Sequence, residues 1–415
     1  EKKEETKEQP EQKPEVENKP EIQTIPEEKK EIAKEEKKEV DNRPIYITQI
    51  DNSKENINTF QLQGTAVKNV LTKKFKDFEY LRTKLLERWP GIYIPNVPNK
   101  KVVGSTDEET YILKFNLLNR FLCQIHKIPF LFQSKEMEVF LSNTNDTIKA
   151  LNSMPQQALE DISKKFSLTF TDYDENYDTH ELKLIQNKFE DYLKETYPKI
   201  KNYRDLIKSL KERYQVGNQD LTKELSGLSL FENEVITEYT GKDESKKLLV
   251  NLNQDIENIN AKIENPYNKL YESVLGDLLD IEAMIDTYNG GRKIQEDYDK
   301  LVKNYYSINN SITDLSSGKP TFKMSMLFKK KDDQMKLLTE EKAKLDKQMS
   351  SMAQIMKIST FNLDREITTF KKKFVDNYYD QLNDLQKGLI KNSSCLTDIW
   401  SNILNNPNVS SQASK

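Results

Sequence analysis

The chain has 415 residues, of which 35% are hydrophobic and 32% are charged, and its formal net charge is -4 at pH 7. This balance favours long solvated helices over a compact α/β enzyme and gives no overall attraction to nucleic acid. Because no apolar stretch reaches about 18 residues, we expect no transmembrane helix. Cys123 and Cys395 lie far apart in sequence, which indicates reduced thiols in a cytoplasmic protein.

The sequence also argues against catalysis. His126 and His180 are the only histidines, and they are far apart in the chain. There is no glycine-rich phosphate loop and no Cys or His cluster with the spacing of metal ligands. We therefore expect a protein that is not an enzyme and that holds no cofactor and no metal.

Both ends of the chain differ in composition from the rest. Residues 1–43 are Glu, Lys, Pro and Gln with almost no apolar side chains. Folding such a segment would not offset its lost conformational entropy, so we interpret it as a disordered tail. We interpret residues 406–415 as a disordered C-terminus.

A compact α+β unit is predicted to begin at Pro44. Three segments that alternate polar and apolar residues or are β-branched are typical of strands, and they are 45–50, 59–63 and 70–75. An amphipathic helix follows, with apolar residues every three or four positions from Phe75 to Trp89, and Pro90 ends it. Two further helices complete the unit near Asn143.

Three long helices are predicted after a polar linker, at about 180–230, 244–316 and 332–404. Their apolar residues step by three and four, which is the heptad pattern of a coiled coil. Large aromatic residues such as Tyr203 and Phe370 widen the apolar stripe, so we expect a second copy to cover it in a two-fold dimer. Pro198 and Pro266 fall within this pattern and are expected to bend the helices.

Basic and aromatic residues of the α+β unit resemble the PX domain. That family has Arg-Arg-Tyr/Phe-x-x-Phe at the end of its third strand, and residues 73–78 read Lys-Lys-Phe-Lys-Asp-Phe. The family then has a proline-rich loop that ends in a basic residue, for which residues 95–101 provide Pro-Asn-Val-Pro-Asn-Lys-Lys. Finally, Lys114 precedes the Leu-Asn-Arg-Phe-Leu of residues 118–122, where the family has Arg before Leu-x-x-Phe-Leu.

The resemblance implies a phosphoinositide pocket made by four side chains. Lys74 would contact the 3-phosphate, Phe75 would lie under the inositol ring, Lys100 would bind on the 1-phosphate side, and Lys114 would reach the ring hydroxyls. Converging cations and an aromatic face suit this ligand, since a dianionic phosphate needs opposite charge and the ring has an apolar side.

Two features of this region bear on how lipid is held. Val102 and Val103 follow the basic residues of the loop and are expected to enter the lipid. Lys at positions 74 and 114, where the family usually has Arg, keeps the charge but loses the bidentate contact, so affinity should fall and selectivity should loosen. The alternative is that these lysines are ordinary solvated residues on a degenerate PX fold.

The linker contains a second candidate for membrane contact. Leu159, Ile162 and Phe166, with Lys164 and Lys165 between them, resemble the short amphipathic helix that precedes the BAR region of sorting nexins. Its apolar face would lie in the head-group plane. The alternative is that this face packs on the PX or BAR surface.

The long helices resemble a BAR domain, and the whole order resembles a PX-BAR sorting nexin of the endosomal recycling and autophagy branch. The expected fold is an α+β PX domain with a three-stranded sheet, followed by an all-α BAR domain of three long kinked antiparallel helices in a dimeric coiled coil. The expected domains are a tail at 1–43, PX at 44–143, a linker with the amphipathic helix at 144–178, BAR at 179–405 and the C-terminus at 406–415.

The connection between the second and third long helices would form the distal tip of a BAR dimer. It is basic and also contains exposed apolar positions, so it should attract anionic lipid at about 1 kcal/mol per basic residue. The lysines expected to contact membrane are Lys319, Lys323, Lys329, Lys330 and Lys331.

The resemblance implies a cytoplasmic adaptor, peripheral on the endosomal membrane. It would bind phosphatidylinositol 3-phosphate and anionic membrane, sense or tubulate curvature, and act in endosomal sorting, recycling and autophagy-related traffic. Its partners would be cargo proteins and a second PX-BAR chain, in a homodimer or heterodimer, and no nucleic acid. The alternative is a PX-tethered coiled-coil scaffold that recruits proteins to endosomes without binding curvature.

Overall fold

A computed structural model describes residues 43–50, 59–67, 69–99, 108–142, 146–173, 179–240, 257, 262–318 and 331–404. The two predicted disordered ends lie almost wholly outside these ranges. The predicted site residues that lie outside the described residues are Lys100, Val102, Val103, Lys319, Lys323, Lys329 and Lys330.

The N-terminal sheet confirms the predicted meander. Its strands are β1 (Tyr46–Ile50), β2 (Thr59–Gln63) and β3 (Leu71–Lys74), and they pair antiparallel in the order β1-β2-β3. Burial alternates along β2 and β3, because successive side chains of a strand point to opposite faces. Phe60 and Leu62 therefore face the core. Thr59, the first residue of β2, pairs with Lys74, the last residue of β3.

The helices described in this α+β unit are α1 (Phe75–Arg88), α2 (Glu108–His126), α3 (Pro129–Phe132) and α4 (Lys135–Phe140). Helix α1 begins where the backbone N–H of Lys74 donates to Asp77 Oδ2 at 2.7 Å, which satisfies one amide that a helix start leaves open. The ring of Phe78 lies at the centre of the core, edge-on to Phe60 and Phe140 with centroid separations of 6.0 and 5.2 Å.

The linker folds against both neighbouring units. It contains α5 (Thr147–Asn152) and α6 (Leu159–Thr169). Phe166 of α6 is fully buried and stacks on Trp89 with the ring centroids 5.8 Å apart. Ser163, about one turn before Phe166, donates through Oγ to Gln354 Oε1 of the third long helix at 2.7 Å. The linker is thus part of the core that joins the sheet unit to the long helices.

The long helices are α7 (Thr179–Phe231), α9 (Tyr267–Ser316) and α10 (Lys331–Leu404). Helix α7 continues through a π-helical turn, Glu232–Thr237, and a last turn, α8 (Glu238–Thr240). The apolar residues that join α9 to α10 are Ile308 and Leu315 at the end of α9 with Leu338 and Leu345 at the start of α10. The two helices therefore pack antiparallel, as predicted.

The second long helix begins later than predicted. Residues 263–266 are not helical, and α9 starts at Tyr267, not near residue 244. Pro198 lies inside α7 as expected, whereas Pro266 immediately precedes α9. Pro is tolerated at a helix start because the first N–H groups have no partner within the helix, so Pro266 begins this helix and does not bend it.

Candidate functional site

The two lysines at the end of β3 point in opposite directions. Lys74 is exposed, whereas Lys73 is 1% exposed. The Lys73 ammonium donates to Thr147 Oγ1 at 2.8 Å and to the carbonyl of Ser142 at 3.2 Å, and it lies 5.3 Å from the centroid of the Phe140 ring. Burial lowers the pKa of Lys73, although Asp77 acts in the opposite direction. Lys73 therefore ties β3 to the linker and leaves Lys74 to face solvent.

The other predicted head-group residues are much less accessible. Phe75 is 4% exposed and belongs to the hydrophobic core, which leaves little of its ring for contact with an inositol. Lys114 on α2 is 5% exposed. Lys114 lies one helical turn after Tyr111, and the ring of Tyr111 stacks on Phe60 of β2 with the centroids 6.1 Å apart. The structure thus places one of these three side chains on the surface and two inside.

The sheet unit docks on α9 through a buried carboxylate. Asp280, which is 4% exposed, accepts from Arg120 Nη2 at 2.6 Å and from Gln124 Nε2 at 2.9 Å, both on α2. It also accepts from Lys373 Nζ of α10 at 2.6 Å. Asp280 is therefore the point at which three parts of the chain meet.

Further carboxylates along α9 extend this docking surface. Asp286 pairs with Arg82 of α1 at 2.7 Å, and the Nε of that arginine also donates to the Pro95 carbonyl at 2.9 Å. Glu272 accepts from Asn116 of α2 at 2.7 Å. Burial raises the pKa of Glu272, an effect that the hydrogen bond from Asn116 opposes. Each carboxylate is satisfied by a neighbour, and no metal cluster occurs among the residues that the structure describes.

Two glycines of α9 allow this close approach. A Cβ added at Gly276 would lie 2.8 Å from the Arg120 guanidinium, which also donates to the Gly276 carbonyl at 3.0 Å. A Cβ added at Gly290 would lie 3.0 Å from the backbone nitrogen of Gly91. Gly91 itself has φ of +71°, a conformation that favours glycine, in the turn that ends α1.

The comparisons with known proteins agree with this architecture. Residues 63–144 match the PX domain family. The chain is 33% identical to sorting nexin-30 of Xenopus tropicalis over 132 residues, which cover 31% of this chain and 28% of that protein. It is 24% identical to sorting nexin-4 of Eremothecium gossypii over 351 residues, which cover 79% of this chain and 82% of that protein. The chain contains a PX domain and is similar to sorting nexins.

A solved structure extends the similarity to the long helices. It is described as the SNX-BAR Mvp1 tetramer. The match covers 87% of this chain and all of the chain in that structure, with a TM-score of 0.58 at 13% identity. At that identity the likeness shows the fold alone, which is a PX unit followed by a BAR-like helical region. Sorting nexins are not enzymes, in agreement with the prediction from sequence. The match to MVP1 of Candida albicans, at 32% identity, covers 13% of that relative.

The amphipathic segment of the linker packs inside the protein. Ile162 and Phe166 are buried and Leu159 is half-buried, so the expected face for membrane insertion is covered by Trp89 and by α10. Packing, the alternative in the sequence interpretation, is therefore the arrangement found. The segment packs inside because burial in the core removes its apolar face from water, which is favourable.

Lys165 fastens this segment to α1. Its ammonium donates to the Arg88 carbonyl and to Gln157 Oε1 at 3.0 Å, and it lies 4.0 Å from the centroid of the Trp89 ring. Burial lowers the pKa of Lys165 to about 8, although Glu136 opposes this shift. Of the predicted tip lysines, only Lys331 lies in the described part, where it is exposed at the first position of α10.

Within the described part of the chain, an apolar face remains uncovered on α7 and the second half of α10. A groove of about 420 Å³ between the two helices includes Phe189 and Tyr192 of α7 with Phe374 and Val375 of α10. The exposed apolar residues that continue this face are Leu184, Ile185, Tyr203, Leu206, Tyr378, Tyr379 and Leu382. A contiguous apolar surface of this kind marks a site of protein association.

Proposed function

We propose that this chain is a sorting nexin, a peripheral protein of the endosomal membrane that binds phosphatidylinositol 3-phosphate through its PX unit and acts in sorting and recycling. The observation that carries the proposal is the position of Lys74. It lies in the matched PX region at the end of β3, and its side chain is exposed while Lys73 is held inside by Thr147 and Ser142. An exposed cation at this position can meet a phosphate without breaking an existing contact.

The other predicted residues extend this head-group site. Lys100 and Lys114 would complete the cationic shell, and Phe75 would contribute the edge of its ring. Val102 and Val103 would enter the lipid beside the bound head group. The substitution of Lys for Arg at two positions should weaken selectivity among phosphoinositides, because an ammonium lacks the planar fork of a guanidinium.

Dimerisation would place two head-group sites on one membrane. The uncovered apolar face of α7 and α10 supports a homodimer, or a heterodimer with another PX-BAR chain, and the similar solved structure is itself described as a tetramer. Weak head-group contacts then add, since the second one forms at a high effective concentration. The tip lysines Lys319, Lys323, Lys329, Lys330 and Lys331 would add contacts with anionic lipid on curved membrane.

Flotation with vesicles tests the head-group site. Lys74→Ala should weaken binding to vesicles that contain phosphatidylinositol 3-phosphate by about tenfold, which corresponds to about 1.4 kcal/mol for one charge-assisted contact. Because Lys74 is exposed, the variant should unfold at the same temperature as the wild type. Lys135→Ala, which removes another exposed lysine of the PX unit, is the control and should bind as the wild type does. Equal binding by the Lys74 and Lys135 variants would refute the assignment.

Binding to vesicles of different curvature distinguishes the proposed function from the scaffold alternative. Substitution of the five tip lysines by Gln should abolish any preference for small over large vesicles if the helical region reads curvature. If the region only recruits proteins, the wild type should show no such preference, and the substitutions should leave vesicle binding unchanged.

A further inference from the structure

A cleft of about 410 Å³ lies between the PX unit and the long helices. Pro98 and Asn99, at the end of the proline-rich segment, form one wall. Leu278 and Leu279 of α9 lie on the apolar floor, and one side of α7 forms the opposite wall. The cleft is therefore built by the docking of the PX unit on α9 and would not exist in either part alone.

The α7 wall is cationic. Lys201, Arg204 and Lys208 line the cleft, and their spacing of three and four residues places them on one side of the helix. Lys201 and Lys208 are exposed. Within the described residues, Lys201 makes no hydrogen bond or ion pair, and Lys208 has only a contact with Glu212 at 4.0 Å. Two ammonium groups are thus available to a ligand.

The two carboxylates that line the cleft, Asp205 and Glu282, already accept hydrogen bonds within the protein. Asp205 accepts from Arg204 Nε at 3.0 Å and from Nη2 at 2.6 Å. Glu282 accepts from the Tyr197 hydroxyl at 2.7 Å and from Asn96 Nδ2 at 2.9 Å. Arg204 balances the charge of Asp205, whereas Glu282 keeps its charge because Tyr197 and Asn96 are neutral donors. The three cations of the α7 wall still outnumber the two carboxylates that line the cleft, so the preferred ligand is an anion.

The cleft is separate from both sites described above. Lys74 and Lys114 do not line it. On α7, successive residues are turned by about 100°, so Tyr203 and Leu206 of the apolar face point well away from Lys201 and Lys208. A dimer through the apolar face would leave the cleft open.

We propose that this cleft is a second binding site, which takes a phosphate group carried on an apolar body, the chemistry of an anionic phospholipid. The lysines on the wall bind the phosphate, and the leucines of the floor receive the apolar part. An ammonium pair suits such a ligand because each Lys is a point charge with three donors. The site rests on the proposed function, in which the PX unit first brings the protein to the membrane.

Flotation with a double variant tests this site. The vesicles contain neutral lipid and phosphatidylinositol 3-phosphate, with or without phosphatidylserine. The wild type should bind at least fivefold more tightly when phosphatidylserine is present. Lys201→Glu/Lys208→Glu should lose at least half of that gain, because only the tip lysines then remain to contact phosphatidylserine, and it should keep its binding to vesicles without phosphatidylserine. The charge-matched control, Lys344→Glu/Lys347→Glu, alters two exposed lysines of α10 and should keep the gain.

The result that would refute this second site differs from the result that would refute the proposed function. If the wild type does not bind vesicles with phosphatidylinositol 3-phosphate, the proposed function is wrong. If it binds but the Lys201 and Lys208 variant keeps the gain from phosphatidylserine, or if the α10 control loses as much, the second site is wrong and the head-group site stands.

Lysine acetylation of the full chain identifies the source of the phosphate. Lys201 and Lys208 should be protected from acetylation by phosphatidylserine vesicles, whereas Lys199, on the other side of α7, should react equally with and without vesicles. Protection by soluble glycerol 3-phosphate as well would show that the phosphate alone is sufficient, and protection by vesicles only would assign the site to lipid. Protection by neither would overturn the proposal.

Discussion

The BAR-like helices present two surfaces of opposite chemistry. The side of α9 that receives the PX unit is lined by carboxylates, and Asp280, Glu272 and Asp286 are each paired with a donor from that unit. The face formed by α7 and the second half of α10 instead carries uncovered apolar side chains, such as Tyr379 at 64% exposure. One surface is occupied within the chain and the other is open.

The difference indicates what each surface determines. A buried carboxylate is costly unless its donors are in place, so the α9 contacts allow essentially one orientation of the PX unit. Apolar burial is not directional and contributes about 25 cal/mol per Å², so the open face can provide affinity for a second chain. We infer that polar contacts set the direction of the head-group site, and that apolar contacts set the number of such sites in the assembly.

The largest effect is expected from a charge on the apolar face. Val375→Glu/Tyr379→Glu places two carboxylates on one side of α10, where a dimer would have to bury them. A two-fold dimer contains four substituted residues, two from each chain. At about 1 kcal/mol for each of them, the dimer should weaken on the order of a thousandfold. Sedimentation equilibrium measures this change. The variant should remain folded, because both positions are more than half exposed in the single chain.

Tyr306→Glu is the control for this prediction. Tyr306 is also a large exposed aromatic residue, at 62% exposure, but it lies on α9 outside the apolar face. Its variant should dimerise as the wild type does. A dimer that survives the Val375 and Tyr379 changes would mean that the exposed face is not where the chains meet.

A smaller effect is expected from Asp280. Replacing it by Ala leaves Arg120 and Lys373 without their carboxylate, but the side chains of these two residues are 26% and 38% exposed and can regain water. We therefore expect a loss of about 2 to 3 kcal/mol, below the usual cost of breaking a fully buried pair. The loss should appear as faster hydrogen exchange in α2 and the facing part of α9, with the dimer unchanged.

Asp297→Ala provides the comparison on the same helix. Asp297 pairs with Lys300 at 2.8 Å, and the two side chains are 41% and 69% exposed. An exposed pair of this kind contributes little, so exchange in α2 should not change. If the two variants behaved alike, Asp280 would not be the contact that holds the PX unit.

Much of the fold was predictable because its signals are local. Period-two alternation located the three strands, and apolar steps of three and four located α1, α7 and α10. The start of α9 was placed too early because Pro266 suits either a bent helix or a helix start, and the pattern alone does not separate the two. The structure places it at the start.

The site was predictable only in part. The same alternation that located β3 would have shown Lys73 turned inward, so this contact could have been found. The docking of Arg82 and Arg120 on α9 could not, because their partners lie 204 and 160 residues away in sequence. The one local sign of this docking surface was the presence of acidic residues within the very apolar stretch of sequence around Asp280. The amphipathic pattern of α6 predicted an apolar face correctly but not what covers it.

The smallest effect is expected from two adjacent glycines in α9. Gly291 has open space around it, so Gly291→Ala should stabilise the helix by about 1 kcal/mol through the higher helix propensity of Ala. Gly290→Ala brings the same gain, but its Cβ would lie 3.0 Å from the backbone nitrogen of Gly91, which has little freedom to move. Overpacking costs about 1 to 3 kcal/mol, so the net change should be destabilising. Thermal unfolding should therefore shift upward for Gly291→Ala and downward for Gly290→Ala. An upward shift in both would mean that the PX unit does not press on α9 at this point, and that the polar surface alone holds it.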